Sequence, residues 1–166
     1  MKSRRRSGVA REMPRGEPRT RRADRPRVFI VDEHVSMRQH VQRLMKKEFT
    51  VAGLVRDAEA LLDCWAIAEP DLIVLDVPLP CCRGVEAAAR VRAAGCEAPI
   101  VFVSGHDSPE IVRAAHAAGA LGYVATRDLE RDLIAAARAA LAGHRYHSHA
   151  IRFRKRTIAE PQSHAR

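Results

Sequence analysis

Acidic residues and a hydroxyl stand where chemistry needs them. Asp32, Glu33 and His34 follow directly on the apolar run VFIV (28–31), Asp76 closes LIVL (72–75), and Ser104 closes PIVFV (99–103). A buried strand that ends on a carboxylate presents it at the rim of a sheet. Three carboxylates in one crevice raise one another's pKa unless a cation intervenes. Oxygen donors with little sulfur suit Mg²⁺, which keeps waters and bridges protein to phosphate. An aspartate beside such an ion can attack phosphorus, because the metal offsets charge on both nucleophile and phosphoryl group. The resulting acyl phosphate would add charge and strong acceptor oxygens at one point. The Ser104 hydroxyl could donate to a phosphoryl oxygen. Tyr123, on the following apolar stretch, is an amphipathic ring able to sit inside or outside in response.

These residues can meet only if the elements bearing them converge. Short continuous apolar runs at 28–31, 72–76 and 99–104 read as parallel strands covered on both faces, with weaker strands at 50–55 and 122–125. Helical spacing predicts helices over 36–47, 58–68 (stopped by Glu69-Pro70) and 85–94 (ending at Gly95). Ser108 and Pro109 start a helix that ends at Gly119. Asp128 is expected to cap a last helix, with Leu129, Leu133, Ala137 and Leu141 along one side and Gly143 closing it. Strands alternating with helices imply an α/β fold, a three-layer, doubly wound, five-stranded parallel sheet. In such sheets ligands bind at the carboxyl ends of the strands where the winding reverses. With strand order 2-1-3-4-5 that point lies between strands 1 and 3, so the acids at 32–33 and 76 become spatial neighbours.

The net charge of +9 suggests nucleic acid until it is divided along the chain. Residues 1–27 hold 11 Lys/Arg against 3 Asp/Glu, residues 143–166 hold 6 against 1, and residues 28–142 hold 12 against 16. The basicity lies in the two ends, and the middle is mildly acidic. The arginine-rich start has almost no large apolar residues and is expected to be a disordered tail. It lacks the apolar run of a signal peptide, and nowhere do 18 apolar residues run together, which points to a cytoplasmic protein without membrane contact. Cys64, Cys81, Cys82 and Cys96 form no CxxC pair and are expected to be free thiols.

Other chemistries have weaker support. Cys81-Cys82 would make only a strained vicinal disulfide. His34 has the donor chemistry for a transition metal, but a solvated loop histidine is the simpler reading. An aspartyl-phosphate hydrolase would need a second acid two residues after the nucleophile, and that position is Pro78. No phosphate-cradling glycine loop, zinc spacing or Ser-His-Asp order stands out, so the chain is expected not to be an enzyme.

The segments VFIVDEH, PDLIVLDVPLP followed by Gly84, PIVFVSG and GALGYV resemble, in order and spacing, the receiver domain of bacterial two-component response regulators. The resemblance implies a flavodoxin-like (CheY-like) fold; CheY is itself a known case of the 2-1-3-4-5 order, so that order belongs to the resemblance. It implies Asp76 as the residue phosphorylated by a sensor histidine kinase. It implies a Mg²⁺ site from Asp32, Glu33, Asp76 and the Pro78 main-chain carbonyl, and Ser104 and Tyr123 as switch residues. Where the family carries a lysine after strand 5, this chain has Thr126, with Arg127 next to it. The stretch AGHRYHS (142–148) resembles the linker that in one subfamily leads to a helix-turn-helix output domain.

The expected organisation is therefore a basic disordered tail (1–26), a receiver domain (27–143) and a basic C-terminal extension (144–166). The expected function is that of a single-domain response regulator in phosphorelay signalling. Its partners would be the kinase and a downstream protein met through the face of the fourth helix, fifth strand and fifth helix, with a homodimer as a further option. The alternatives are a pseudo-receiver that docks partners without phosphate, and a remnant of a transcriptional regulator touching nucleic acid weakly through its tails.

Overall fold

The computed structural model describes residues 25–76 and 83–151. Six strands form one sheet in the order β2-β1-β3-β4-β5-β6, all neighbours parallel. They are β1 (Arg27–Val31), β2 (Thr50–Val55), β3 (Leu72–Asp76), β4 (Ile100–Ser104), β5 (Gly122–Ala125) and β6 (Tyr146–His147). The connecting helices are α1 (Val35–Met45), α2 (Ala58–Ala68), α3 (Arg83–Ala93), α4 (Pro109–Ala117) and α5 (Leu129–Leu141). The α/β doubly wound reading and the order of the first five strands hold. The strand count of five is corrected to six.

Strand side chains alternate between two apolar layers. Phe29, Val31, Ile73, Leu75, Ile100, Phe102 and Tyr123 pack with Leu61, Val91, Val112 and Ala115, which belong to α2, α3 and α4. Val28, Ile30, Leu72, Val74, Val101, Val103 and Val124 pack with Val41, Met45, Leu133 and Ala137 of α1 and α5. Period 2 sends successive residues to opposite faces, so a strand covered on both sides must be apolar throughout. Fully burying one such side chain contributes about 1.5–3 kcal/mol. The edge strand β2 has a register shift opposite Val28/Phe29 that sets Gly53 beside Phe29. A Cβ at Gly53 would overlap the Phe29 ring, so only glycine fits.

The helix boundaries follow their local signals. Ser108 accepts a hydrogen bond from the Ile111 amide and Pro109 opens α4. Glu69, before Pro70, ends α2 in the left-handed conformation at φ 42°. Asp57 caps α2 through the Ala60 amide. Two expectations for α5 fail. Asp128 does not cap it: it closes a 3₁₀ turn (Thr126–Asp128), and its carboxylate bonds Arg131 and the Ala150 amide instead. Leu141 is exposed, and the buried stripe runs through Leu129, Leu133, Ala136, Ala137 and Ala140.

The sheet does not stop at Gly143. There the backbone turns at φ 76° and returns as β6, with Tyr146 opposite Gly122 and His147 opposite Tyr123. The Ser148 amide donates to the Tyr123 carbonyl, and the Ser148 hydroxyl accepts from the Ala125 amide, both at 3.0 Å. Asp132 and Asp128 accept from the amides of His149 and Ala150, each at 2.7 Å. Ile151 is buried in the layer that holds Tyr123. His116 of α4 adds an Nε2···Nε2 contact of 2.6 Å with His147. Residues 144–151 thus strap the edge of β5, while the rest of the C-terminal extension lies outside the described residues.

Candidate functional site

The candidate site lies at the carboxyl ends of β1 and β3. These strands are paired from Val28↔Leu72 to Val31↔Leu75, so the residues just beyond, Asp32 and Asp76, emerge side by side. Asp32 is held by the Val55 carbonyl on its amide, by Arg38 on its carbonyl at 2.6 Å, and by the His34 amide donating to its Oδ1 at 2.7 Å. It is only 3 % exposed, and burial pushes its carboxyl above the usual range, against the lowering pull of His34 and Arg38. Asp76 is 16 % exposed.

One donor atom from each of Asp32, Asp76 and His34 lies within 4.8 Å of the others. His34 Nδ1 stands 3.5 Å from Asp32 Oδ1 and 3.9 Å from Asp76 Oδ2. His34 occupies the N-cap position of α1, yet its side chain caps nothing. Glu33 is outside this tightest group, half exposed, with Oε1 4.0 Å from His34 Nε2. Glu33 nevertheless lines the same cleft as Asp32 and Asp76. His34 is no isolated loop residue, and its place directly after the two acids was the signal for it. Pro78, Cys81 and Cys82 lie outside the described residues.

A cleft of about 390 Å³ opens beside the acids, lined by Asp32, Glu33 and Asp76 and by Arg56, Glu59 and Arg90. Arg90 holds Glu59 through two hydrogen bonds of 2.6 and 2.9 Å, tying α2 to α3. The Arg90 guanidinium keeps the Glu59 carboxyl below its ordinary range. Neither arginine stood out in the sequence, because nothing local marks two helices as neighbours.

Ser104 ends β4, and register pairs Asp76 with Val103, so Ser104 lies one step further along the adjacent strand. It is fully buried, and its hydroxyl accepts from the His106 amide at 3.1 Å. Tyr123 sits inward, fully buried, and donates to the His106 carbonyl at 2.8 Å. Burial pushes its phenol upward, and the hydrogen bond with Ser104 acts in the opposite direction. Ser104 and Tyr123 thus grip the two ends of one residue, His106. Thr126 is half-buried at the start of the 3₁₀ turn, and the Arg127 guanidinium is paired with Asp107. Cys64 is free and exposed. Cys96 is free and buried, and burial pushes its thiol upward.

A sheet of this order with paired acids at the β1/β3 switch point narrows the choice to few families. Residues 28–138 match the response regulator receiver domain. The chain belongs to that family. It is 32 % identical over 72 % of its length to the transcriptional regulatory protein YxjL of Bacillus subtilis, covering 56 % of that protein. It is also 32 % identical, over 72 % of its length, to the transcription regulator BvgA of Bordetella pertussis, covering 58 % of it. The chain thus spans a little over half the length of these curated relatives. Among solved structures, it superposes on a LuxR-family two-component response regulator from Aurantimonas sp. SI85-9A1 with a TM-score of 0.74 at 28 % identity, covering 81 % of this chain and 99 % of that one.

Receiver domains are signalling modules of two-component systems that work with histidine kinases and with output or partner domains. This receiver domain carries the acidic corner at Asp32 and Asp76. Among the described residues no helix is long and apolar enough to cross a membrane.

Proposed function

We propose that the chain is a phosphorylation-switched receiver in a two-component phosphorelay, with Asp76 as the phosphoacceptor. The observation that carries this is the convergence of Asp32 and Asp76 within 4.8 Å at the strand ends. An Asp76 carboxylate oxygen attacks the phosphorus of a phosphohistidine, the P–N bond breaks, and the imidazole leaves with its electron pair and takes a proton. Asp32, Asp76 and the Pro78 carbonyl are the groups suited to hold Mg²⁺, which when bound offsets the negative charge on nucleophile and phosphoryl group. Glu33, which lines the same cleft, is the further acid suited to that set.

Transmission runs through His106. A phosphoryl group on Asp76 offers new acceptor oxygens to the Ser104 hydroxyl, which now receives the His106 amide. Moving Ser104 shifts the peptide that anchors the Tyr123 hydroxyl. Tyr123 in turn bears β6 on its backbone, so the switch biases the α4–β5–α5 face and the strap along it. The downstream protein is expected to read that face.

A second reading, a docking module that works without phosphate, is favoured by Thr126 at the lysine position and by Arg127 being paired with Asp107. Threonine supplies no positive charge, and an arginine one residue on has different reach and geometry. Intact-mass measurement after incubation with acetyl phosphate and Mg²⁺ separates the two. One added acid-labile phosphate, absent from Asp76→Asn, supports the switch. No adduct on the wild type, or an undiminished one on Asp76→Asn, refutes it and leaves the docking module.

A further inference from the structure

Two arginines line the cleft that opens on Asp76, and they are differently employed. Arg90 is committed to Glu59 through both of its terminal nitrogens. Arg56 touches only its neighbour Asp57, with Nε 3.0 Å from Oδ2. We propose that Arg56 binds the phosphoryl group carried by Asp76, supplying from the β2 side of the sheet the positive charge that Thr126 does not supply from the β5 side. This rests on the reading of Asp76 as the phosphoacceptor and adds to it the cation that meets the phosphoryl oxygens.

The register places Arg56 for this task. Val31 pairs with Val55 on one side and with Leu75 on the other, so the next residues, Arg56, Asp32 and Asp76, stand in a row along the carboxyl edge. Neighbouring strands lie about 4.8 Å apart, which sets the backbone of Arg56 about 10 Å from that of Asp76. An extended arginine side chain and a phosphoryl group together span that gap. In the order β2-β1-β3-β4-β5, β2 and β5 each lie two strands from β3, so the residues after them, Arg56 and Thr126, are equivalent places on opposite sides of Asp76.

The surroundings leave the Arg56 fork available. Asp57 is fixed, because its Oδ1 caps α2 through the Ala60 amide, and its Oδ2 holds Arg56 by Nε. Among the described residues the two terminal nitrogens of Arg56 donate no hydrogen bond. Glu59, the carboxylate in the cleft that would compete for them, has both oxygens taken by Arg90. A planar guanidinium can present two parallel N–H groups to phosphate oxygens, and such charge-assisted bonds are the strong ones. Arg127, the other arginine near Asp76 along the chain's strand ends, is held by Asp107 and would have to leave it first.

The test compares the full chain with Arg56→Ala, Arg56→Lys, Arg127→Ala and Arg113→Ala. Arg113 is an exposed arginine of α4, paired with Glu110, and its removal changes the net charge equally far from the cleft. Phosphate uptake from acetyl phosphate with Mg²⁺ is followed by intact mass. Affinity for trifluoroberyllate, a non-reacting stand-in for the phosphoryl group, is measured by calorimetry in Mg²⁺. Arg56 is 79 % exposed, so screening keeps the effect moderate. Arg56→Ala is expected to weaken both uptake and trifluoroberyllate binding about 3–10-fold, with Arg56→Lys in between because it keeps the charge and loses the fork. Mg²⁺ alone should bind Arg56→Ala no less tightly than the wild type, since a cation has been removed from an acidic corner; a merely structural role would lower both. Uptake and affinity equal in wild type and Arg56→Ala would overturn the inference and leave the phosphorelay reading standing. So would an equal loss in Arg113→Ala, which would make the effect one of net charge, or a loss confined to Arg127→Ala. Absence of any adduct on the wild type would overturn the phosphorelay reading and the inference with it.

Discussion

Replacing Asp32 by Asn tests whether the acidic corner is held at a cost to stability. Asn keeps the shape and the oxygen that receives the His34 amide, and puts an NH₂ where the second carboxylate oxygen stood. Two unit charges no more than 4.8 Å apart at an effective dielectric of about 20 repel by roughly 3.5 kcal/mol or more. The His34 ring, Arg38 and the partial exposure of Asp76 offset part of this, which leaves about 1–2 kcal/mol to be recovered. For a domain of this size that amounts to a melting point roughly 3–10 °C higher. In chelator, at neutral pH, Asp32→Asn is therefore expected to melt above the wild type. The sign with pH follows from the raised folded-state pKa of Asp32. The cost is full above the raised folded value and fades as pH falls toward the ordinary 3.8, so the variant's advantage shrinks on acidification. Saturating Mg²⁺ should reverse the order, since about 100-fold excess over the dissociation constant stabilises the wild type by about 2.7 kcal/mol and the variant far less. Differential scanning calorimetry in chelator and in Mg²⁺ reads both effects. If Asp32→Asn melts below the wild type in chelator, the carboxylate is a structural anchor and the electrostatic argument fails.

Ser148→Ala should destabilise the fold by about 1–3 kcal/mol, because the buried Ala125 amide loses its acceptor; hydrogen exchange at Ala125 should quicken more than at Val28 of the interior strand β1. Burial pulls the Asp132 carboxyl up, but Arg131 and the His149 amide more than reverse that and hold it below the ordinary range. Its contribution is therefore full above the unfolded value near 3.8 and lost as pH falls through the lower folded one, so the His149 amide should keep its protection down to pH 3.8 and lose it only on further acidification, as seen by amide exchange. Tyr123→Phe should cost about 0.5–1.5 kcal/mol through the lost hydrogen bond to His106 and leave phosphorylation of Asp76 intact, while changing how phosphorylation alters amide exchange along β6. Unchanged exchange differences in that variant would remove Tyr123 from the relay.

The three strong strands were legible because burial on both faces demands uninterrupted apolar runs, and VFIV, LIVL and PIVFV have nothing else to be. Their carboxylate ends were legible for the same reason: Asp76 after four apolar residues has nowhere to go but the rim. Ser108-Pro109 and Glu69-Pro70 marked helix ends because capping and proline act within a few residues. By contrast, Asp128 was misread. An aspartate before a helix can cap it or accept a distant amide, and only the return of the chain at Ala150 shows which.

Sequence alone determined the doubly wound sheet, because alternating strands and helices follow from period and apolarity; the pairing of positions 32 and 76 needed in addition the strand order that the resemblance implied. Tertiary structure decided what shares the corner with them. How the residues after β1 sit around Asp76 depends on the turn into α1, whose first residue Asp32 is anchored by Arg38 of α1 and by the Val55 carbonyl of the neighbouring strand. The sixth strand was equally hidden: two residues with no apolar run are held by Tyr123, Asp128, Asp132 and the Ser148 hydroxyl, contacts that exist only once the chain has folded. Local propensity acts over a few residues, whereas these choices are made by partners brought together across the fold.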